Sequence, residues 1–377
     1  MIKVEQVDLK DHAQVNRFVQ VSFDLYEKHP QWVPPFISDI KAMMNKEKHP
    51  YYEHSDADFF IALQDGKAVG RIAALENRPF NKYHDHKDAE FYLFETTDLQ
   101  EVADALFNRV FEWARGRGLN HVVGPKGFGP LDGYGIQIEG FEHRQMMNMM
   151  NYNYPYYVKL VEAAGFTKLV DFVSCYSKRE GFYLPEKALK AVHIVHKRGT
   201  FEVLKFKNKK HLVSWAKALG IAYNKSFVNN IEYYPLTERE IKFVVDNVLT
   251  IADHRLVKLI LHKDEVVGFS LPFPDVSAAM QRGKGKLNPI SIADLMLELG
   301  RTKWIDFNGI GILPEYQGLG GNALMYSEVV SAVNSGDFHF EHAELTQMAE
   351  TATQIRKDLI TLGVTPYKNH RVYQIHL

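Results

Sequence analysis

The sequence predicts an α/β protein made of two copies of one unit, in which a mixed, largely antiparallel sheet carries helices on both faces. A strand-turn-strand segment ends at Gly70, and a similar segment ends at Gly268. A helix stopped by glycine ends at Gly165, and a similar helix ends at Gly363. Both pairs are separated by 198 residues, and a shared separation in a shared order indicates a duplicated unit.

Length and composition also favour two domains. A chain of 377 residues exceeds one ordinary core, because domains typically hold about 100 to 200 residues. Hydrophobic residues make up 46% of the chain and charged residues 24%, which supplies enough apolar surface for folded cores. We therefore expect a first domain at 1–185 and a second domain at 186–377.

The elements of the first unit can be placed from the alternation of apolar residues and from turn signals. In order, the sequence predicts a hairpin at 59–75, a strand at 90–94, a helix at 98–117, a strand at 120–124 and a helix at 154–164. A Gly/Pro-rich insertion separates the last strand from the last helix.

The second unit is predicted to follow a similar path. Apolar spacing predicts a helix at 210–229, and Thr237 with Glu240 forms a capping box that begins a helix ending near Ile251. A hairpin, a Pro/Gly-rich insertion and a short helix come next. The remaining elements are a strand at 303–313, a glycine loop at 317–321, a helix at 323–333, a strand at 338–345, a helix at 349–362 and a closing hairpin to Leu377.

A glycine-rich turn between a predicted strand and a predicted helix is the clearest candidate binding site. Residues 310–324 are Ile-Gly-Ile-Leu-Pro-Glu-Tyr-Gln-Gly-Leu-Gly-Gly-Asn-Ala-Leu. Glycine lets successive amide groups converge, and the start of a helix adds partial positive charge, so the turn suits a pyrophosphate. The Walker pattern is absent because no Lys-Ser/Thr follows, and Pro314 interrupts the dinucleotide pattern.

The stretch from Ile312 to Gly320 resembles the glycine-loop signature of the GNAT acetyltransferases, Gln/Arg-x-x-Gly-x-Gly/Ala, and the order of elements is similar as well. The resemblance covers 201–377 well and extends more faintly to 1–180, while Asn322 replaces the last Gly or Ala of the signature. It implies two tandem GNAT-like domains and acetyl-CoA or another acyl-CoA as co-substrate. The implied cofactor-binding residues are Ile312, Leu313, Gln317, Gly318, Leu319, Gly320, Gly321, Asn322 and Ala323.

The equivalent turn of the first unit contains no glycine. It carries three carboxylates, Glu95, Asp98 and Glu101, which would repel a pyrophosphate. Asp98 is suited to cap the following helix. We therefore expect the first domain to be a degenerate copy that lacks the CoA pyrophosphate loop.

The resemblance also implies a base that deprotonates the acceptor ammonium and often a tyrosine that protonates the leaving thiolate. The usual tyrosine position, four residues before the helix-ending glycine, holds Leu359 in the second unit and Val161 in the first. The candidate bases are Asp306, Glu344 and Glu350, and the candidate acids are Tyr367 and Tyr373.

Among the candidate bases, Glu344 is favoured over Asp306. In the family the acyl thioester lies where the strand preceding the loop separates from the next parallel strand. The predicted strand at 338–345 places Glu344 near its C-terminal end, beside that gap. Asp306 comes early in its own strand and is expected to lie further from the thioester.

Charge and cysteine content exclude several classes of partner. A formal net charge of -1 gives no basic field for general nucleic-acid binding. Cys175 is the only cysteine and lies in an apolar stretch, which indicates a buried thiol and a cytoplasmic protein without disulfides. The first residues show no secretory signal, and no run of about 18 apolar residues occurs, so no membrane partner is expected.

No metal site is expected either. His339 and Glu341 fall on one face of their predicted strand, and His342 and Glu344 fall on the other, so four ligands cannot converge from this strand alone.

The sequence thus favours a CoA-dependent N-acyltransferase that acts on a small amine or an amino-terminal group. One alternative is a catalytically silent tandem GNAT-like protein that binds acyl-CoA or a protein partner, which the missing tyrosines favour. Another alternative is an aminoacyl-tRNA-dependent transferase, which the near-zero net charge disfavours.

Overall fold

The structure is a computed structural model that describes residues 1–147, 150–179, 183–361 and 363–377, apart from the side chains of Lys187 and Gln354. The chain forms two compact units. Unit 1 comprises Met1–Val173, Ser277–Leu295 and Tyr367–Leu377, and unit 2 comprises Ser174–Val276 and Met296–Pro366. Two segments that come late in the sequence therefore belong to unit 1.

The first half of the chain contains β1 (Ile2–Gln6), α1 (His12–Leu25), α2 (Ile37–Met43), β2 (Asp56–Gln64), β3 (Lys67–Glu76), α3 (Arg78–His84), β4 (Asp88–Thr96), α4 (Gln100–Arg115), β5 (His121–Gly124), β6 (Ile136–Glu139), α5 (Tyr156–Ala163) and β7 (Thr167–Lys178). The second half contains α6 (Glu186–Arg198), β8 (Glu202–Leu204), α7 (Lys209–Ser214), α8 (Ala216–Ser226), α9 (Glu238–Ile251), β9 (Lys258–His262), β10 (Glu265–Pro274), α10 (Ser277–Gly283), α11 (Pro289–Arg301), β11 (Trp304–Ile312), α12 (Gly321–Asn334), β12 (His342–Ala349), α13 (Thr353–Thr361) and β13 (Thr365–His376).

The sheet of unit 1 has helices on both faces. Its strands follow the order β1-β2-β3-β4-β5-β13, and β4 with β5 is the parallel pair among them. Alternation along the strands divides the core. Phe60 and Ile72 belong to the apolar cluster that contains α4 and α5, whereas Phe59 and Ala73 belong to the cluster that contains α1 and α2.

The sheet of unit 2 follows the order β8-β9-β10-β11-β12, in which β11 and β12 run parallel and the other pairs are antiparallel. Helix α9 begins as predicted, because Thr237 is its N-cap and Glu240 completes the capping box. Val195 of α6 and Leu324 of α12 share a cluster with Ile260 of β9. These contacts fix the start of α12 against the sheet.

The two units place their recurring glycines at matching positions. Gly70 in β3 pairs with Thr96 at the end of β4, and Gly268 in β10 pairs with Ile312 at the end of β11. Glu90 lies six residues before the end of β4 and pairs with the fifth residue after Gly70. Asp306 likewise lies six residues before the end of β11 and pairs with the fifth residue after Gly268.

The irregular backbone positions match as well. Leu93 in β4 and Gly309 in β11 both have positive φ, 50° and 109°, where each strand bulges against its neighbour. Gly165 follows α5 with φ 93°, and Gly363 follows α13 with φ 77°. These parallels support a duplicated unit.

Several predicted boundaries are wrong. Strand β12 begins four residues later than the predicted start at 338, because Phe338 and Phe340 stack on each other in the preceding loop. The chain ends in the single strand β13 and not in a hairpin. The residue that caps α4 is Leu99, without a side-chain hydrogen bond, so Asp98 does not cap this helix.

Candidate functional site

The parallel strands β11 and β12 separate halfway along their length. They pair from Trp304 to Phe307 and from His342 to Leu345. Beyond these rungs β11 continues to Ile312 without a further paired rung to β12 among the described residues. The gap between the two strands therefore opens one residue after Asp306 and Glu344.

Buried polar side chains line the beginning of this gap. Asp306 and Glu344 are directly paired, which points both side chains to the same face of the sheet, and both are fully buried. Two residues further along lie Asn308 and Thr346, also buried, and the Thr346 hydroxyl donates to Oδ1 of Asp306 over 3.4 Å. A pair of buried carboxyl groups in this position can accept a proton from a group held in the gap.

The structure corrects the reason for preferring Glu344 over Asp306. Glu344 is the third residue of β12 and not near its C-terminal end, because the strand runs from His342 to Ala349 and not from 338 to 345. The two carboxyl groups lie on the same rung of the sheet. Sequence reasoning also missed Asn308 and Thr346, although strand alternation from Asp306 and Glu344 would have found them.

The other candidate catalytic residues lie elsewhere. Glu350 follows β12 and is half-buried. Tyr367 belongs to unit 1, where its ring lies 4.7 Å from that of His143. Tyr373 also belongs to unit 1, and its hydroxyl donates to Glu162 over 3.1 Å. The structure thus brings Asp306 and Glu344 together and leaves both tyrosines outside unit 2.

The positions expected to hold a catalytic tyrosine belong to the apolar cores. Leu359 in α13 and Val161 in α5 are both buried. Neither side chain can donate a proton to a leaving thiolate.

The glycine loop presents free amide groups at the start of α12. Gly318 and Gly320 have positive φ of 76° and 91°, which turns the chain sharply into the helix. Within the described part of the chain, none of the amides of residues 318–323 donates a backbone hydrogen bond, and Leu324 is the first to bond back, to Gly320. These six amides at a helix start are a candidate anion site, because free amides at such a position suit phosphate.

Tight packing fixes the shape of this loop. The Gln317 side chain donates to the carbonyl of Ile312 over 3.1 Å. A Cβ atom added at Gly320 would lie 2.4 Å from the Val195 side chain, and one at Gly321 would lie 2.9 Å from Ile312. Glycine is therefore required for packing as well as for the turn.

The remaining predicted loop residues differ in exposure. Ile312 and Leu313 are buried, Leu319 is exposed, and Asn322 and Ala323 are half-buried in the first turn of α12.

A shallow apolar crevice, with a cavity volume of only about 10 Å³, lies in unit 2 between α8, α9 and β10. No polar surface contributes to its lining among the described residues. Burial raises the pKa of Tyr223, whose ring lies on the wall of the crevice. The principal lining side chains are those of Leu219, Tyr223, Leu236, Val245, Val248 and Leu271.

Unit 1 lacks the paired carboxyl groups of unit 2. Glu90 occupies the position of Asp306, but its partner across the parallel pair is Val123. The ammonium group of Lys126 lies 2.9 Å from the Glu90 carboxylate and forms a buried salt bridge with it. Glu90 is therefore neutralised by a cation.

In unit 1, tyrosine side chains form hydrogen bonds with the polar groups at the end of β4. The amide of Thr96 donates to the Tyr157 hydroxyl over 3.0 Å, and Tyr156 donates to the Thr96 carbonyl over 2.7 Å. Tyr26 and Tyr157 both donate to Glu95 over 2.8 Å. Burial raises the pKa of Glu95, and the nearby Arg71 opposes this change.

Cys175 and Tyr176 are neighbours in β7, and the structure shows the surroundings of both side chains. Cys175 is buried, and burial raises the pKa of its thiol to about 11, so little reactive thiolate forms near neutral pH. The hydroxyl of Tyr176 lies 2.8 Å from Nδ1 of His342.

Among the described residues, no group of three or more His, Cys, Asp or Glu side chains is arranged to hold a metal ion.

Comparison with known proteins identifies similar chains over nearly the full length. The chain is 26% identical to "Bacterial ceramide synthase" of Caulobacter vibrioides (strain NA1000 / CB15N) over 378 residues, covering 98% of this chain and 96% of that protein. It is 22% identical to "Protein YghO" of Escherichia coli (strain K12), covering 95% of this chain and 91% of that protein. No protein-family model matches the chain.

A solved structure identifies the fold. A tandem GNAT protein from the clavulanic acid biosynthesis pathway aligns with a TM-score of 0.55 and 10% sequence identity, covering 100% of this chain and 98% of that one. The chain has a GNAT-like fold, as its glycine loop predicts.

Proposed function

We propose, from this GNAT-like fold, that the chain is an acyl-CoA-dependent N-acyltransferase that joins a long-chain acyl group to the amino group of a long-chain amino alcohol. The observation that carries the proposal is the anion site of amides 318–323, which begins α12 directly after β11. The same strand carries Asp306 opposite Glu344, where the gap to β12 opens.

The anion site would hold the pyrophosphate of the acyl-CoA. Its amides are directional donors, and the start of α12 adds partial positive charge, so binding needs no lysine or arginine. The acyl thioester would then lie in the gap between β11 and β12, next to the buried polar side chains.

The carboxyl pair would act as the base. One carboxylate of Asp306 and Glu344 accepts a proton from the acceptor ammonium, and the free amine attacks the thioester carbonyl carbon. The C–N bond forms, the nitrogen loses its second proton to water, the C–S bond breaks, and the thiolate leaves with the bonding electron pair. Because Leu359 and Val161 cannot donate a proton, the thiolate takes its proton from water.

The substrate class rests on the comparisons and on the crevice. Ceramide is an amide between a fatty acid and a long-chain amino alcohol, and a relative named ceramide synthase aligns with 98% of this chain. The crevice between α8 and α9 is lined by apolar side chains, but its volume of about 10 Å³ is that of one water molecule, so a hydrocarbon chain would enter only if the two helices moved apart. If the glycine loop were the only guide, acetyl-CoA and a small amine would be the simpler substrate pair.

A second candidate is a protein that binds acyl-CoA without transferring the acyl group. The buried Leu359 and Val161 favour it, because neither unit supplies the usual tyrosine acid. A third candidate, transfer from aminoacyl-tRNA, remains disfavoured by the net charge of -1.

The test supplies the purified chain with hexadecanoyl-CoA and a C18 2-amino-1,3-diol and measures both free thiol and amide product. We expect the two products in equal amounts, and acetyl-CoA with small amines serves as the comparison pair. Binding of acyl-CoA without thiol release would identify the silent protein. Failure to bind any acyl-CoA in a calorimetric titration would overturn the proposal.

A further inference from the structure

Helix α11 exposes apolar side chains instead of burying them. The exposed fractions are 83% for Ile290, 65% for Met296, 64% for Leu297, 48% for Ile292 and 47% for Leu287, which lies two residues before the helix. Helical periodicity places the four helix residues, together with Ala293 and Gly300, on one continuous face. We call Ile290, Ile292, Ala293, Met296, Leu297 and Gly300 the outer face of α11.

The opposite side of the same helix combines polar residues with the half-buried Leu295 and Leu299. Ser291 and Glu298 are buried, and Glu298 accepts hydrogen bonds from Arg301 over 2.8 Å. Asp294 forms a 2.7 Å salt bridge with Arg282 of α10. The most exposed apolar side chains of the helix thus lie on its outer face, whereas a surface helix usually turns its apolar stripe to the core. The outer face is therefore organised to contact something apolar outside the chain.

Two lysines mark the beginning of the outer face. Lys284 and Lys286 are exposed in the turn between α10 and α11. The turn is held against the start of α2, because the Ile37 amide donates to the Gly285 carbonyl over 2.9 Å. A Cβ atom at Gly285 would lie 2.4 Å from the carbonyl oxygen of Pro35, so this close approach requires glycine. The lysines are thus presented at a fixed place beside an apolar surface.

We infer that the outer face of α11 docks on the surface of an anionic lipid bilayer, with the helix lying in the plane of the interface. Apolar side chains would enter the boundary between headgroups and acyl chains, and Lys284 and Lys286 would contact lipid phosphates. A helix of 13 residues lies on a membrane and does not cross it. No helix of the described residues has the length and apolar character needed for a membrane span.

The size of the patch favours a lipid surface over a second copy of this chain. A helix of 13 residues is about 20 Å long, and one face about 10 Å wide offers roughly 200 Å². Stable protein interfaces bury about 800 Å² on each partner. A bilayer sets no such minimum, because binding grows with each apolar side chain and each lysine.

The experiment measures co-sedimentation of the full chain with vesicles of phosphatidylcholine, with and without phosphatidylglycerol. We expect stronger binding to the anionic vesicles. The triple variant Ile290→Ser/Met296→Ser/Leu297→Ser should bind them at least about tenfold more weakly. The matched control, Leu189→Ser/Val213→Ser/Ile360→Ser, replaces three similarly exposed apolar residues elsewhere and should bind like the wild type.

A charge variant and a solution measurement complete the test. Lys284→Glu/Lys286→Glu should weaken binding to anionic vesicles at low salt and leave binding to neutral vesicles unchanged. The inference is overturned if the wild type fails to bind vesicles or if the triple variant binds as the wild type does. It is also overturned if the triple variant dissociates an oligomer in lipid-free sedimentation, since a second copy then covers the face. No arm measures acyl transfer, so the outcome is independent of the proposed activity.

Discussion

Asp306 on β11 and Glu344 on β12 are direct neighbours across a parallel strand pair, and neither side chain is exposed. Taking carboxylates out of water costs free energy, so two carboxyl groups buried on one rung are an unusual arrangement. In unit 1 the matching rung holds Glu90 and Val123, and Lys126 neutralises Glu90. Unit 2 alone keeps two carboxyl groups where its strands separate.

If this pair is the base, then Asp306→Asn and Glu344→Gln should each lower kcat/KM for acyl transfer by about 10²- to 10⁴-fold. Acyl-CoA affinity should change little, because the amides of residues 318–323 supply the anion site. Steady-state kinetics and calorimetric titration on the same preparations measure the two effects.

The matched control is Glu341→Gln, which changes an exposed glutamate directly before β12 that is bound to Lys303. It should leave both quantities near their wild-type values. Wild-type kcat/KM in both Asp306→Asn and Glu344→Gln would remove the carboxyl pair from the mechanism.

The candidate site was predictable where local chemistry determines structure. The glycines between Gln317 and Gly321 combine with the preceding strand to predict a helix start with free amides, and the structure has both. The position of Glu344 was not predictable. Phe338 and Phe340 alternate as strand residues do, yet they stack in a loop, so β12 begins at His342 and Glu344 shares a rung with Asp306. Register across a parallel pair depends on tertiary packing, which local pattern does not specify.

A second prediction concerns the anion site. Asn322 lies in the first turn of α12, where a carboxylate interacts favourably with the helix dipole but repels a bound pyrophosphate. Asn322→Asp should therefore leave the melting temperature unchanged or raise it, while acyl-CoA affinity falls about 10- to 100-fold at low salt. Asn322→Ala, which supplies the residue usual in the GNAT signature, should retain affinity. Equal affinity of both variants would argue against pyrophosphate at this helix start.

This substitution is more informative than one that places a carboxylate in the glycine loop itself, as Gly320→Glu would. A side chain at Gly320 would collide with Val195 and would have to adopt a φ of 91°, so loss of binding could reflect a distorted loop. Position 322 already carries a side chain and lies in regular helix, so Asn322→Asp adds charge without adding bulk.

The third prediction concerns chain length. Val245 lines the apolar crevice, and the larger side chain of Val245→Phe should close it to a hydrocarbon chain. We expect kcat/KM for the long-chain substrate pair to fall about tenfold, because a blocked apolar pocket loses roughly 1 to 3 kcal/mol of transition-state binding. Acetyl-CoA with a small amine should be unaffected.

Val213→Phe provides the control for added aromatic bulk, since Val213 is exposed on α7 outside the crevice. The melting temperature of each variant reports any cost of overpacking. A proportional loss with long and short substrates would show that the crevice does not hold a hydrocarbon chain.

The fourth prediction concerns unit 1. Tyr157 accepts a hydrogen bond from Thr96 and donates one to Glu95, so Tyr157→Phe leaves buried polar groups without this partner. We expect a loss of about 1 to 3 kcal/mol in the free energy of unfolding, measured by denaturant titration, with unchanged acyl-CoA affinity. Tyr83→Phe, at an exposed position of unit 1, should change neither quantity. Altered affinity in Tyr157→Phe would show that unit 1 participates in binding.

The last prediction concerns pH and the core of unit 1. Burial lowers the pKa of His370 to about 3, and the nearby charge of Lys368 contributes. Its Nε2–H can donate to the Asn151 carbonyl, 2.8 Å away, and burial of the ring favours the neutral form. The unfolded chain binds a proton with a pKa near 6.5, as free histidine does. The stability from the neutral ring is therefore complete above about pH 6.5 and is lost as the pH falls toward 3.

The loss amounts to about 1.4 kcal/mol for each pH unit, or about 2 kcal/mol between pH 6.5 and pH 5. His370→Gln keeps a hydrogen-bond donor for the Asn151 carbonyl but has no proton to gain. Thermal unfolding followed from about pH 7.5 to about pH 5 should show a steeper decline for the wild type than for this variant. Parallel curves would mean that His370 binds its proton equally in the folded and unfolded chains, and that burial does not hold the ring neutral.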